Sequence, residues 1–149
     1  MVAMRGIRAT LIRGGTSKGL YVLANDLPVD TGERDALLLR LMGSPDSRQI
    51  DGLGGAHPLT SKVAIVSRAT DGLADIDFLF AQVGIDRAQV DTTPNCGNIL
   101  AGVGPFAIER GLVPAADPQT RVRVRTLNTG TLAELLIRTP GTPSIRVSP

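Results

Sequence analysis

Asn95-Cys96-Gly97-Asn98-Ile99-Leu100-Ala101-Gly102-Val103-Gly104-Pro105-Phe106-Ala107-Ile108 is an uncharged run whose second residue is the only cysteine of the 149-residue chain. From Ile99 to Ile108 it reads as a helix, and the next charge is Glu109. A helix with no polar face is expected to be covered on all sides, so a sheet wrapped around it is the natural partner. Gly102, Gly104 and Pro105 lower its intrinsic propensity, which leaves tertiary packing to hold it and predicts a kink at Pro105. At the N-terminus of such a helix Cys96 faces unpaired backbone N–H groups and the positive end of the dipole, surroundings of the kind that favour a thiolate. The bland alternative is a small buried hydrophobe, the usual role of a lone cysteine beside apolar residues. Two asparagines and a glycine are poor core formers, however, and they suit an anion-binding turn.

Outward from that run, strands are expected on both sides. Gly6 to Ile12 is rich in β-branched residues, Gly14 to Gly19 turns the chain, and Leu20 to Leu23 resumes an extended run, a hairpin-like pair. Asp30 with Glu33 resembles a capping box. Leu37, Leu38 and Leu41 make an apolar stripe and Gly43 a C-terminal cap, so residues 31–42 read as an amphipathic helix. Asp51 to Pro58 is too rich in glycine for regular structure, whereas Lys62 to Val66 is a short apolar strand that opens on a lysine. Ile76 to Val83 alternates like an antiparallel strand with one wetter face. Arg121 to Arg125 also alternates, and Thr131 to Arg138 follows the turn Asn128-Thr129-Gly130. The proline-rich tail Thr139 to Pro149 is the one linker-like piece.

Composition narrows the classes. A 42% hydrophobic, 20% charged chain is long enough for one core. With no Trp, one Tyr and three Phe it offers no stacking platform, and a net charge of +2 without a basic block argues against nucleic acid. One cysteine makes no intramolecular disulfide, Met1 to Arg5 holds no apolar signal segment, and no run approaches a membrane span. The cytoplasm is the expected address, with no membrane role.

The glycine-rich stretches invite a nucleotide reading that their context opposes. In Gly14 to Gly19 the lysine precedes a strand and not a helix, and Gly52-Leu53-Gly54-Gly55 lacks the spacing and the strand–turn–helix setting of a dinucleotide site. Both loops instead expose amides and small hydroxyls suited to a carboxylate. Lys62, bracketed by Ser61 and Val63, is either a snorkelling side chain or, if desolvated or beside another cation, a base. His57 with Cys96 makes a weak hydrolase dyad, because no third orienting group can be assigned. One His and one Cys do not build a usual zinc site, while an oxygen-rich magnesium site stays open. The face carrying Arg121, Arg123 and Arg125 is expected to be solvated, with contact to another domain as the alternative.

Five ordered motifs together resemble the N-terminal half of the PrpF family. They are Arg13-Gly14-Gly15-Thr16-Ser17-Lys18-Gly19, Met42-Gly43-Ser44-Pro45-Asp46, Gln49-Ile50-Asp51-Gly52-Leu53-Gly54-Gly55, Thr60-Ser61-Lys62-Val63 and Asn95-Cys96-Gly97-Asn98. That family contains 2-methylaconitate isomerases and 4-oxalomesaconate tautomerases, and His57 to Lys62 looks closer to the tautomerase branch. The resemblance implies an α+β, diaminopimelate epimerase-like domain over residues 1–149, a mostly antiparallel curled sheet around a central helix from about Gly97 to Arg110. The family's second domain is absent from this chain. It implies an isomerase that moves a proton in a small di- or tricarboxylate without a cofactor or metal, with Lys62 and Cys96 as the acid/base pair. Arg13, Gly14, Gly15, Thr16, Ser17, Gly55, Ser61, Asn95, Gly97 and Asn98 are the substrate-binding residues it points to. A homo-oligomer, or pairing with a second domain, is the expected assembly. A non-catalytic carboxylate-binding or subunit-pairing fragment, and an amino-acid epimerase on the same fold, remain as alternatives.

Overall fold

The computed structural model describes residues 6–141. The Met1 to Arg5 signal-peptide reading and all of the proline-rich tail beyond Gly141 lie outside the described residues. Among the described residues seven strands form one sheet: β1 (Thr10–Gly14), β2 (Ser17–Leu23), β3 (Lys62–Arg68), β4 (Ile76–Val83), β5 (Val90–Asp91), β6 (Gln119–Thr126) and β7 (Thr131–Arg138). The order is β1-β2-β3-β4-β6-β7, with β5 also on β4. Four pairings are antiparallel, while β2–β3 and β4–β6 are parallel.

Parallel neighbours need a crossover, and this places the two helices. α1 (Thr31–Met42) lies in the β2-to-β3 connection and α2 (Gly97–Glu109) in the β4-to-β6 connection. They cover opposite faces. Leu38 and Met42 of α1 are buried with Val22, Val63, Ile65 and Ala81, whereas Ile99, Val103 and Phe106 of α2 are buried with Tyr21, Ala64, Phe78, Phe80 and Val124. Each Val, Leu, Ile, Met or Phe among these, taken fully out of water, contributes about 1.5–3 kcal/mol. β3, between the two layers, is buried from Lys62 to Val66. α2 touches β1 to β4 and also β7 at the far edge, so the sheet curls around it.

α1 follows its expected ends: Asp30 accepts a hydrogen bond from the Glu33 N–H, and Gly43 closes the helix at φ 86°. Two expectations are corrected. The first strand begins at Thr10, not Gly6, and the polar loop shrinks to Gly15–Thr16, because Gly14 pairs with Ser17 and Gly15 takes φ 53°. α2 is not covered all round. Ala101, Pro105 and Glu109, four residues apart, form an exposed line, which the uncharged sequence concealed because small residues and proline carry no polar signal. The helix continues through Pro105, whose missing N–H falls on that open side. Thr139 is buried and its N–H reaches Pro118 O at 2.9 Å, so the tail's first residue belongs to the packed structure.

Candidate active site

Lys62 opens β3 and Cys96 is the N-cap of α2. They stand 34 positions apart in the chain, yet Lys62 Nζ lies 3.4 Å from Cys96 Sγ. Lys62 as a whole residue is 8% exposed. Its ammonium also donates to Ser17 Oγ at 3.1 Å and sits 5.6 Å from the centroid of the Phe80 ring, within cation–π range. A lysine has three N–H donors, so one remains after Ser17 and Cys96 are served. Pairing explains the convergence. Ser17, Gly19 and Tyr21 on β2 stand on the same face as Lys62 and Ala64, with Gly19 directly opposite Lys62. That face is the one α2 covers.

Cys96 is half-buried, and its side chain makes no capping bond. Its carbonyl accepts from the Leu100 N–H. The N–H groups of the first turn of α2 have no intrahelical partner. Gly97 and Asn98, which carry two of them, are exposed, so an anion can approach them.

The β1–β2 turn is seated on this helix end. A Cβ on Gly14 would overlap the Asn98 carbonyl oxygen, and one on Gly15 would come to 2.5 Å from Asn98 Oδ1. Asn98 Nδ2 donates to Thr16 Oγ1 at 3.0 Å. Of the expected substrate-binding residues, Gly14, Gly15, Thr16, Ser17, Gly97 and Asn98 are therefore gathered around Lys62 and Cys96. Arg13 is exposed and its Nε donates to Gly15 O at 3.2 Å, bracing the turn. Asn95 exchanges hydrogen bonds with Thr129.

Ser61 and Gly55 do not join this group. Ser61 is fully buried, donates to Val83 O at 2.8 Å and accepts from Gln49 Nε2 at 2.8 Å. Gly55 packs against Thr60 in the preceding loop. His57 Nδ1 accepts from the Leu59 N–H, which makes it a turn cap. The Arg face is solvated at Arg121 and Arg123, as expected, and it also carries ion pairs: Arg121 with Glu134, Arg123 with Asp75, and Arg125 with Asp71 and Asp77.

Four contributors escaped the sequence reading. Tyr21, fully buried, donates to Ile99 O in the first turns of α2. Burial pushes its hydroxyl well above the ordinary tyrosine range, charge on Cys96 adds to the rise, and the Gly102 amide opposes it. Phe80 floors the ammonium. Gln49, buried at φ 46°, ties Ser44, Ser61 and the Ala56 N–H together. Asn128 joins β4 to the loop before Cys96. Being the only tyrosine was the one available flag for Tyr21; the others looked like strand, loop and turn residues. Among the described residues no cluster of three or more His, Cys, Asp or Glu is placed to hold a metal, and no helix is long and apolar enough to cross a membrane.

Comparison with known proteins identifies relatives of the chain and of its fold. The chain is 62% identical over 130 residues to a protein of Novosphingobium sp. (strain KA1) named (4E)-oxalomesaconate Delta-isomerase, covering 87% of this chain and 36% of that one. The crystal structure of a methylitaconate-delta-isomerase superposes with a TM-score of 0.88 at 52% identity, over 91% of this chain and 60% of that one. A hydroxyproline epimerase from Agrobacterium vitis shares the fold alone, at TM-score 0.56 and 18% identity, covering 89% of this chain and 38% of that one. The chain spans well under half the length of the curated relatives it matches, 39% in the longest-covered case. A family model described as PrpF protein matches residues 4–142, and the chain belongs to the PrpF family.

Proposed function

We propose that this domain supplies the acid/base wall of an isomerase that shifts a proton, without a cofactor, in a small unsaturated polycarboxylate of the 4-oxalomesaconate or 2-methylaconitate type. The observation that carries the reading is the 3.4 Å approach of Lys62 Nζ to Cys96 Sγ beside the open first turn of α2. One member removes a proton from the carbon allylic to a double bond that is conjugated to a carboxylate. The C–H electrons form the new double bond, the old π pair is displaced so that charge spreads into the carboxylate, and the other member returns a proton at the far carbon. The double bond moves and no atom is gained or lost. The Gly97 and Asn98 N–H groups, the Gly14–Ser17 turn and the spare Lys62 donor stabilise the developing charge, the kind of contribution that is large in a water-poor site.

Such a site needs an opposite wall to exclude water, and the exposure of Gly97 and Asn98 favours a further domain or a second subunit in that place. The relatives named for oxalomesaconate and methylitaconate support the substrate class. The diaminopimelate epimerase-like description of the fold is supported in the same way by its likeness to the hydroxyproline epimerase.

The test uses the full-length protein in deuterated water with 4-oxalomesaconate and 2-methylaconitate. Isomerisation with deuterium incorporation is expected, and Cys96→Ala and Lys62→Ala are each expected to slow it by about 10²–10⁴-fold. Unchanged turnover in both variants would refute the assignment.

A further inference from the structure

The outer edge of β4 changes partner along its length. β6 pairs with Ile76 to Phe78 and β5 pairs with Gln82 and Val83, which leaves Phe80 in the gap. The Asn128 side chain fills it. Its Oδ1 accepts from the Phe80 N–H at 2.9 Å and its Nδ2 donates to the Phe80 carbonyl at 2.8 Å, as a neighbouring strand would. The same Nδ2 donates to the Thr92 carbonyl at 2.6 Å.

These two attachments lead to the two members of the acid/base pair. Phe80 carries the ring that floors Lys62 Nζ. Thr92 begins the short run into Cys96, and the next turn residue, Thr129, holds the Asn95 side chain immediately before the cysteine. A shift of the Leu127–Gly130 turn therefore moves the Cys96 loop relative to the strand under the ammonium.

We propose that Asn128 is a positioning residue that sets the approach of Cys96 to Lys62 by tying the loop at Thr92 to β4 at Phe80. The inference rests on the acid/base reading of that pair. Asparagine is suited to the task because one planar amide offers a donor and an acceptor in the spacing of a peptide group, which neither aspartate nor a hydroxyl does.

Alkylation of Cys96 by iodoacetamide in the full-length protein, followed by peptide mass spectrometry at one neutral pH, reads the pair without substrate. Lys62→Met is expected to slow it about fivefold, the effect of removing an opposite charge near a protein surface. In an Asn128→Ala background the same change is expected to alter the rate by less than about twofold, because the two groups no longer meet. With substrate, Asn128→Ala is expected to lower kcat about tenfold or more while KM stays within about twofold. Asn128→Asp keeps the shape and the acceptor for Phe80 N–H but loses both donated bonds. It is read in the same cycle should the alanine variant not fold. A Lys62→Met effect of equal size in parent and Asn128 backgrounds overturns the positioning role. A Lys62→Met change without effect in the parent protein instead removes the acid/base pair on which the role rests.

Discussion

Gly14 has no room for a side chain. Its Cα faces the Asn98 carbonyl at the start of α2, and backbone on both sides of the contact cannot rotate away. Gly14→Ala is expected to destabilise the protein by about 1–3 kcal/mol, the usual cost of overpacking. A chemical-denaturation midpoint measures it, and an unchanged midpoint would show that the turn is not seated on the helix as described. The same contact puts Thr16 and Ser17 beside the catalytic candidates. Lys62 and Cys96 were each legible alone, one because a lysine opened an apolar strand, the other because a cysteine preceded a helix. Their meeting was legible only through family resemblance, since they stand 34 positions apart and no local rule spans that distance. Ser17, 45 residues from Lys62, was expected to bind substrate and is found supporting the ammonium.

α2 shows how packing can reverse a propensity argument. In an exposed helix a glycine-to-alanine change gains about 1 kcal/mol. At Gly102 the added Cβ would run into the hydroxyl of Tyr21, a rigid, fully buried ring whose hydrogen bond to Ile99 would be displaced. At Gly104 the nearest atom is Ile137 Cδ1, the tip of a half-buried side chain on edge strand β7. Gly102→Ala is therefore expected to lower the melting temperature and Gly104→Ala to lower it much less. Thermal unfolding of the two variants side by side checks the ranking, and equal shifts would contradict it. Alternation made β4 and β6 readable because each buries one face. The start of β1 was misplaced because branched residues from Gly6 onward look like strand whether or not a partner is present, and the β2 ladder begins only at Thr10.

The assembled molecule should be stable over a limited pH window whose edges follow from particular groups. Burial, and then charge on Cys96, raise Tyr21 above its unfolded value, so the folded chain holds that proton more tightly. The stability it contributes is full below about pH 10 and is lost as pH rises through and beyond that value. Hydrogen bonds from Arg125 hold Asp71 below the ordinary carboxylate range, and those from Thr93 do the same for Asp91. Their contribution is present above about pH 4 and is lost as pH falls further. Both carboxylates are exposed at the surface, so the acid edge is expected to be shallow and weakened by salt. Urea unfolding across this range should show a plateau with an alkaline fall that Tyr21→Phe flattens; an alkaline fall unaltered by that change would assign it to another group. The identity of the elements was written locally, in caps at Asp30 and Gly43, in strand alternation and in the charge-free run after Cys96, because those signals act between near neighbours. Which helix covers which face, the open line along α2, and the convergence of Ser17, Lys62, Phe80 and Cys96 came from the folded chain. They depend on two parallel crossovers that bring distant segments into register, and the free energy of that register belongs to no single stretch of residues.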